Sequence, residues 1–312
     1  MPSSSETRRT LENHLVEEIK KSGYPLEIEI SSFLDKDYIV FNTQYYFDED
    51  LKQGRDIDIY AIPFLNLDDV ADDKLAPFGL RTEIAIECKK SETHAWVFYT
   101  RPLIPPVSRL YVGGQYFDTV PQPQSHVSAI EGLLFEKNPL HYDSFGKAAI
   151  AYQEIKKLRN SGAQNQTRKS RREIFEGVNQ LVKFICYEIG QSRETSVMPK
   201  NFSILLLFPI IVFDGDLFEV TFESGEPKPE RRMHLLLNTH YRSPYSKKVQ
   251  SYLVDIVHRT YFSEFLKILE SDFIQIRKCI VENHSEFVKI AKEASERAFS
   301  EQKHPPTFSE KQ

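Results

Sequence analysis

Three cysteines in 312 residues, Cys88, Cys186 and Cys279, are too few and too scattered for a disulfide framework or a structural zinc, both of which need paired spacings. They suit reduced thiols. Long apolar runs are also missing. The best, "ILLLFPIIVF" (204–213), is interrupted by Pro209 and falls short of the roughly 18 residues that a bilayer span needs. It reads as buried strand. The opening "MPSSSETRRTLENH" has no apolar stretch of the kind a secretory signal carries. These absences give the expectation of a cytoplasmic protein with no membrane segment. No internal repeat is visible, and an overall excess of positive charge is lacking too, since the formal net charge is −5.

What charge there is lies unevenly. Residues 24–92 hold sixteen Asp or Glu against seven Lys or Arg, whereas 154–183 hold eight Lys or Arg against three Glu. The basic stretch includes "TRKSRR" at 167–172. A carboxylate-rich half beside a basic helix suits a protein that holds a metal and also grips a phosphate backbone.

The chain opens with a predicted helix over 7–22, closed by Gly23 with Lys20 and Lys21 in its last turn. "YIVFNTQYYF" (38–47), "DIDIYAIPF" (56–64) and "EIAIECK" (83–89) follow as strands. A polar, acidic excursion separates the last two. Residues 92–140 give no regular pattern. Helices are expected at 144–160 and 171–189, then strands at 202–213, 217–222, 232–238 and 252–258 with polar turns between them. A long helix from about 261 to 298, with a break near Asn283, closes the fold. This order predicts an α/β (α+β) domain with a central mixed β-sheet flanked by helices. Residues 1–190 would form the core with the site, 191–299 would continue the sheet and its covering helices, and 300–312 would be a disordered tail.

Alternate side chains of a strand share a face. Ile84, Ile86 and Cys88 then point one way, and Ala85, Glu87 and Lys89 the other. In "DIDIYA" the same rule sends Ile57, Ile59 and Ala61 to one face and Asp56, Asp58 and Tyr60 to its opposite. Pairing the apolar sides brings Asp58, Glu87 and Lys89 together. Two carboxylates so placed repel each other, and a divalent cation removes the conflict. Mg²⁺ is commonly held by one or two carboxylates plus phosphate oxygens and water, and a neighbouring lysine can orient the attacking water. On the first helix Glu12 falls inside the apolar arc of Leu11, Leu15, Val16 and Ile19, which is expected to pack on the sheet. His14, His94, His126 and His141 show no metal spacing and read as surface or core-rim residues. Trp96, Phe98 and Tyr99 read as core filling.

"GRDIDIYA" followed by "IAIECKK" resembles the PD-(D/E)xK restriction-endonuclease-like superfamily, nearest in pattern to its Mrr-like members. The resemblance implies a restriction-endonuclease-like core in which Asp58 and Glu87, with the backbone carbonyl of Cys88, hold Mg²⁺ (or Mn²⁺), while Lys89 activates water. "LENHLVEEIKKSGY" resembles the first helix of Mrr-like and archaeal resolvase-like members, where a Glu eleven residues before a Gly-Tyr approaches the metal. Glu12 and Gly23 have that spacing. "QLVKF" resembles a Gln-x-x-x-aromatic motif, which makes Gln180 and Phe184 candidate substrate contacts lying away from the helix's apolar stripe. The separation of twenty-nine positions between Asp58 and Glu87 is long for this hairpin, so Asp56 or an acid in 68–73 stands as an alternative to Asp58. The implied function is a Mg²⁺-dependent endonuclease acting on nucleic acid, DNA before RNA. Lys90, Arg168, Lys169, Arg171 and Arg172 would meet phosphates, and a homodimer would supply the second site needed to cut a duplex. The alternative is an inactive module of the same fold that binds nucleic acid or a partner protein.

Overall fold

The computed structural model describes residues 4–64, 78–103, 132–134, 140–157, 173–195, 202–242, 249–290 and 293. Arg168, Lys169, Arg171 and Arg172, the acids at 68–73, His126 and the tail 300–312 lie outside the described residues. Two helices open the chain, α1 (Ser4–Lys21) and α2 (Tyr24–Leu34), followed by strands β1 (Tyr38–Asp48), β2 (Gln53–Pro63) and β3 (Phe78–Pro102). A short helix α3 (His141–Phe145), strand β4 (Lys147–Lys156) and helix α4 (Glu173–Thr195) come next. They lead into β5 (Phe202–Glu223), β6 (Glu226–Arg231), β7 (His234–Arg242), β8 (Val249–His258), a 3₁₀ turn (Arg259–Tyr261) and α5 (Phe262–Glu282).

The strands make one eight-stranded mixed sheet in the order β1-β2-β3-β4-β7-β8-β5-β6, with β3 also paired to β5. β1, β2 and β3 are antiparallel neighbours, whereas β3 and β5 run parallel from Phe78↔Phe202 to Tyr99↔Val220. β5 in turn pairs parallel with β8. At one end of the order, β6 carries Pro227 and Pro229, tolerated because a strand on the edge needs no outward N–H.

Each face of the sheet has its own apolar layer. On one, Leu26, Ile30 and Leu34 of α2 and Phe265, Leu269, Phe273 and Ile276 of α5 pack on Ile59, Ile84, Ile86, Cys88 and Ile210. On the other, Ile174, Val178, Leu181 and Ile185 of α4 pack on Ile57, Tyr60, Ala85, Trp96 and Ile211. Trp96 stacks on Phe213 at 3.8 Å between ring centroids, so it and the buried Phe98 fill core as expected, whereas Tyr99 is only half-buried and stacks on the exposed Phe222.

Several elements differ from expectation. α1 does form, but Leu11, Leu15, Val16 and Ile19 are each about half exposed, so its apolar arc does not pack on the sheet. α2 is a second helix, begun by Pro25 in its first turn. Residues 92–102 extend β3, with a bulge between Ser91 and Ala95. The predicted helix 144–160 is β4: Gly146 at φ 57° ends α3, and the chain then pairs antiparallel with the second half of β3. The strands expected at 202–213 and 217–222 are one, because Gly215 passes the Ser91 carbonyl so closely that a Cβ there would stand 2.8 Å from it. α5 ends at Asn283, where a break was expected.

His141 is no surface residue. Its Nδ1 meets Asp272 of α5, and its Nε2 lies 3.2 Å from Asp255 of β8, which His234 Nε2 approaches to 2.7 Å. Burial opposes the charge on His141, yet Asp255 and Asp272 outweigh it and raise the imidazole to about 9 from 6.5. Burial likewise opposes ionisation of Asp255, but His141 and His234 hold it down to about 2 from 3.8. A raised histidine stabilises fully below its unfolded value and loses that contribution as pH climbs toward about 9. A depressed carboxyl stabilises fully above 3.8 and loses its contribution as pH falls toward about 2. Melting temperature measured against pH is therefore expected to fall across the alkaline arm from 6.5 to about 9, and His141→Gln is expected to flatten that arm.

Candidate active site

β2 and β3 pair at only three positions, Ile59↔Ile86, Tyr60↔Ala85 and Ala61↔Ile84. One further step along both strands would put Asp58 opposite Glu87, and there the ladder stops. The Cys88 N–H donates instead to Asp58 Oδ2 at 2.7 Å. β1 is distorted at the same level: Thr43, across from Asp58, has φ 57° and drops out of an otherwise continuous register. The alternation of β2 breaks with it. Ile59 and Ala61 face one core layer as expected, but Ile57 joins Tyr60 in the other, so the hairpin has turned over at Asp58.

The opening is filled by the predicted trio. Lys89 Nζ binds Glu87 Oε2 and lies 3.8 Å from Asp58 Oδ2. Glu87 is fully buried, and its Oε1 has no hydrogen-bond partner among the described residues. Asp58 is the solvent side of the cluster, with 23% of its side chain exposed. Burial pushes the Glu87 carboxyl up to about 8. Lys89 pulls it down, and Asp58 adds to the rise. Asp58 is raised as well, by burial first, with Lys89 and the Cys88 N–H opposing. Lys89 is raised: burial works against its charge, but Glu87 and Asp58 prevail. Without another cation, the ammonium of Lys89 is the counter-charge for two carboxylates.

The carboxylate supplied by a helix is Glu27 of α2, not Glu12. Glu27 is half-buried and raised by burial and then by the charge of Asp58, with Lys89 pulling it down. Glu12 lies on the exposed length of α1. In sequence Glu27 was detectable as the flank of Leu26, Ile30 and Leu34, spaced at i, i+4 and i+8 behind Pro25, but the helix it belongs to was not anticipated. From the opposite face, α4 approaches through Gly177, where a Cβ would stand 3.1 Å from Lys89 Cε. The glycine lets the helix pack against the lysine stem.

Other expected residues are placed differently. Lys90 donates to the Lys20 carbonyl at the end of α1 (2.9 Å) and pairs with Glu92 at 3.2 Å. Gln180 Nε2 reaches the Asp56 carbonyl at 3.5 Å. Phe184 is buried, edge-on to Tyr46 and Tyr60, so it is core and does not face away from the apolar stripe. Asp56 is exposed, and it is Asp58 that takes the Cys88 N–H. The Cys88 side chain points into the layer under α2.

Among the described residues no three His, Cys, Asp or Glu side chains converge as a ready-made metal cage. A Mg²⁺-type ion asks for less: one or two carboxylates, with water and phosphate completing the shell. Two raised carboxylates with an unpartnered buried oxygen fit that demand. Comparison with family models, curated proteins and solved structures finds no match to the chain. No described helix is long and apolar enough to cross a membrane.

A carboxyl raised by burial favours the folded state when protonated, and its stabilising effect is lost as pH rises toward about 8. Glu87→Gln is therefore expected to raise the melting temperature of metal-free protein at neutral pH, by roughly 2–4 °C for each kcal/mol released. Added Mn²⁺ should stabilise the wild type and leave the variant unchanged.

Proposed function

We propose that the protein is a metal-dependent nuclease that hydrolyses phosphodiester bonds, with DNA as the first substrate class to test. The observation that carries this reading is the buried Glu87 with an unpartnered Oε1, set beside Asp58 and Lys89 where β2 and β3 part. The order of elements supports it. A helix, an antiparallel β1–β2–β3 run, a helix on the opposite face and then β5 parallel to β3 suit the PD-(D/E)xK resemblance carried by "GRDIDIYA" and "IAIECKK".

Asp58 and Glu87 would hold the ion, with Glu27 beside them. When bound, Mg²⁺ or Mn²⁺ supplies Lewis-acid polarisation of a phosphoryl oxygen and a water of lowered pKa. Lys89 does the positioning. Its ammonium keeps its proton, donates to Glu87 and stands within ion-pair distance of Asp58, where it can orient a water and offset charge growing on the phosphate. The Cys88 N–H fixes the Asp58 carboxylate, so the acid does not have to reorganise as charge develops. Arg168, Lys169, Arg171 and Arg172 immediately precede α4, the helix that abuts Lys89, and we assign them to the phosphate backbone, with salt-sensitive affinity as the consequence.

Supercoiled plasmid incubated with Mg²⁺ or Mn²⁺ is expected to be nicked, and EDTA is expected to stop it. Lys89→Ala should slow cleavage on the order of 10²–10³-fold, the usual cost of losing one preorganised donor, while DNA affinity measured in a gel shift is kept. Tight DNA binding with no metal-dependent cleavage by the wild type would favour the inactive binding module instead.

A further inference from the structure

We propose that Arg259 is a positioning residue that holds Glu27 at the carboxylate cluster by clamping α2 across the sheet; this rests on the metal-site reading above. α2 lies over the strands with Leu26 and Ile30 buried beneath it. At about 100° per residue, Glu27 leaves one flank of that buried stripe and Glu29 leaves the other. Glu27 looks toward Asp58 on β2. Glu29 looks the opposite way, toward the end of β8.

There Arg259 receives it. The guanidinium grips the carboxylate through two contacts, Nε to Oε1 at 2.9 Å and Nη2 to Oε2 at 2.8 Å, and its Nη1 holds Asp214 Oδ2 of β5 at 3.2 Å. The register shows where this clamp stands. Lys89 pairs with Phe213, and Phe213 with His258, so one row crosses β3, β5 and β8 at the level of the candidate catalytic lysine. Lys90 pairs with Asp214, and Arg259 follows His258, which places the clamp one residue beyond that row.

Burial of Leu26, Ile30 and Leu34 fixes which face of α2 meets the sheet, but apolar contacts are not directional and permit small slides along the helix axis. A forked, two-contact guanidinium–carboxylate pair is directional. On the β1 side α2 has Ser31 Oγ donating to Asn42 Oδ1 at 2.5 Å. The clamp supplies the restraint on the other side, and Glu27 lies only two residues from the carboxylate it grips. Arg259 is 40% exposed, so its ion pairs contribute little to global stability, and their effect falls on geometry.

Mn²⁺ binding to the full-length protein, measured by isothermal titration calorimetry, tests this. Arg259→Ala and Glu29→Gln are each expected to weaken Mn²⁺ by roughly 10-fold, the scale for losing a group that orients a ligand. Melting temperature should barely move. In a Glu27→Gln background Arg259→Ala should have no further effect, which a merely structural role would not produce. Equal Mn²⁺ affinity in the wild type and both single variants overturns the clamp while leaving the metal site intact. The same holds for an equal loss with and without Glu27. Wild-type protein that takes up no Mn²⁺ overturns the metal site and the clamp with it.

Discussion

A carboxylate cut off from water must meet positive charge or give up its own, and Glu87 stands under that demand in the middle of the longest strand. Its neighbours follow from it. Lys89 turns to it as the cation supplied by the same strand, Gly177 clears room for the lysine stem, and the β2–β3 ladder ends so that Asp58 can share the charge. The distortion at Thr43 carries the disturbance one strand further. An apolar pair in place of Asp58 and Glu87 would have let three strands continue side by side. The protein instead gives up ladder hydrogen bonds and desolvates two acids, an arrangement that lowers stability and is expected where function requires it.

The part of the site that was legible in sequence is the part governed by strand alternation. In "IAIECKK" a period of two sets Glu87 and Lys89 away from Ile84, Ile86 and Cys88 without knowledge of the rest, whereas in "DIDIYA" it holds for Ile59, Tyr60 and Ala61 and fails at Ile57. Glu12 shows where such reasoning stops. Its spacing to Gly23 was right for a resemblance, but a helix has an address only through what it packs on, and the apolar face of α1 stays largely in solvent. Glu27 belongs to a helix only eleven residues long, hidden behind Gly23, which read as the end of its predecessor.

The misread elements have physical causes of the same kind. "KAAIAYQEIKK" is built from residues that favour helix, yet tertiary pairing with β3 makes it β4. "GDL" (215–217) read as a turn, yet Gly215 is required there by the close passage of a neighbouring backbone. His141 looked ordinary because its two carboxylate partners, Asp255 and Asp272, lie more than a hundred residues away. Local signals report the chain's own preferences, and long-range pairing decides among them.

The two strands that end the sheet are unequal. β6 presents Pro227 and Pro229, so the outward rim of that strand lacks backbone donors at two alternate positions and is a poor template for another chain. β1 has no proline, and its kinked middle lies level with Asp58. Of the two end strands, β1 is therefore the one without prolines in its rim, and it runs level with the acids. Self-association by strand addition, if forced by concentration or partial unfolding, would begin there and would compete with whatever the site binds.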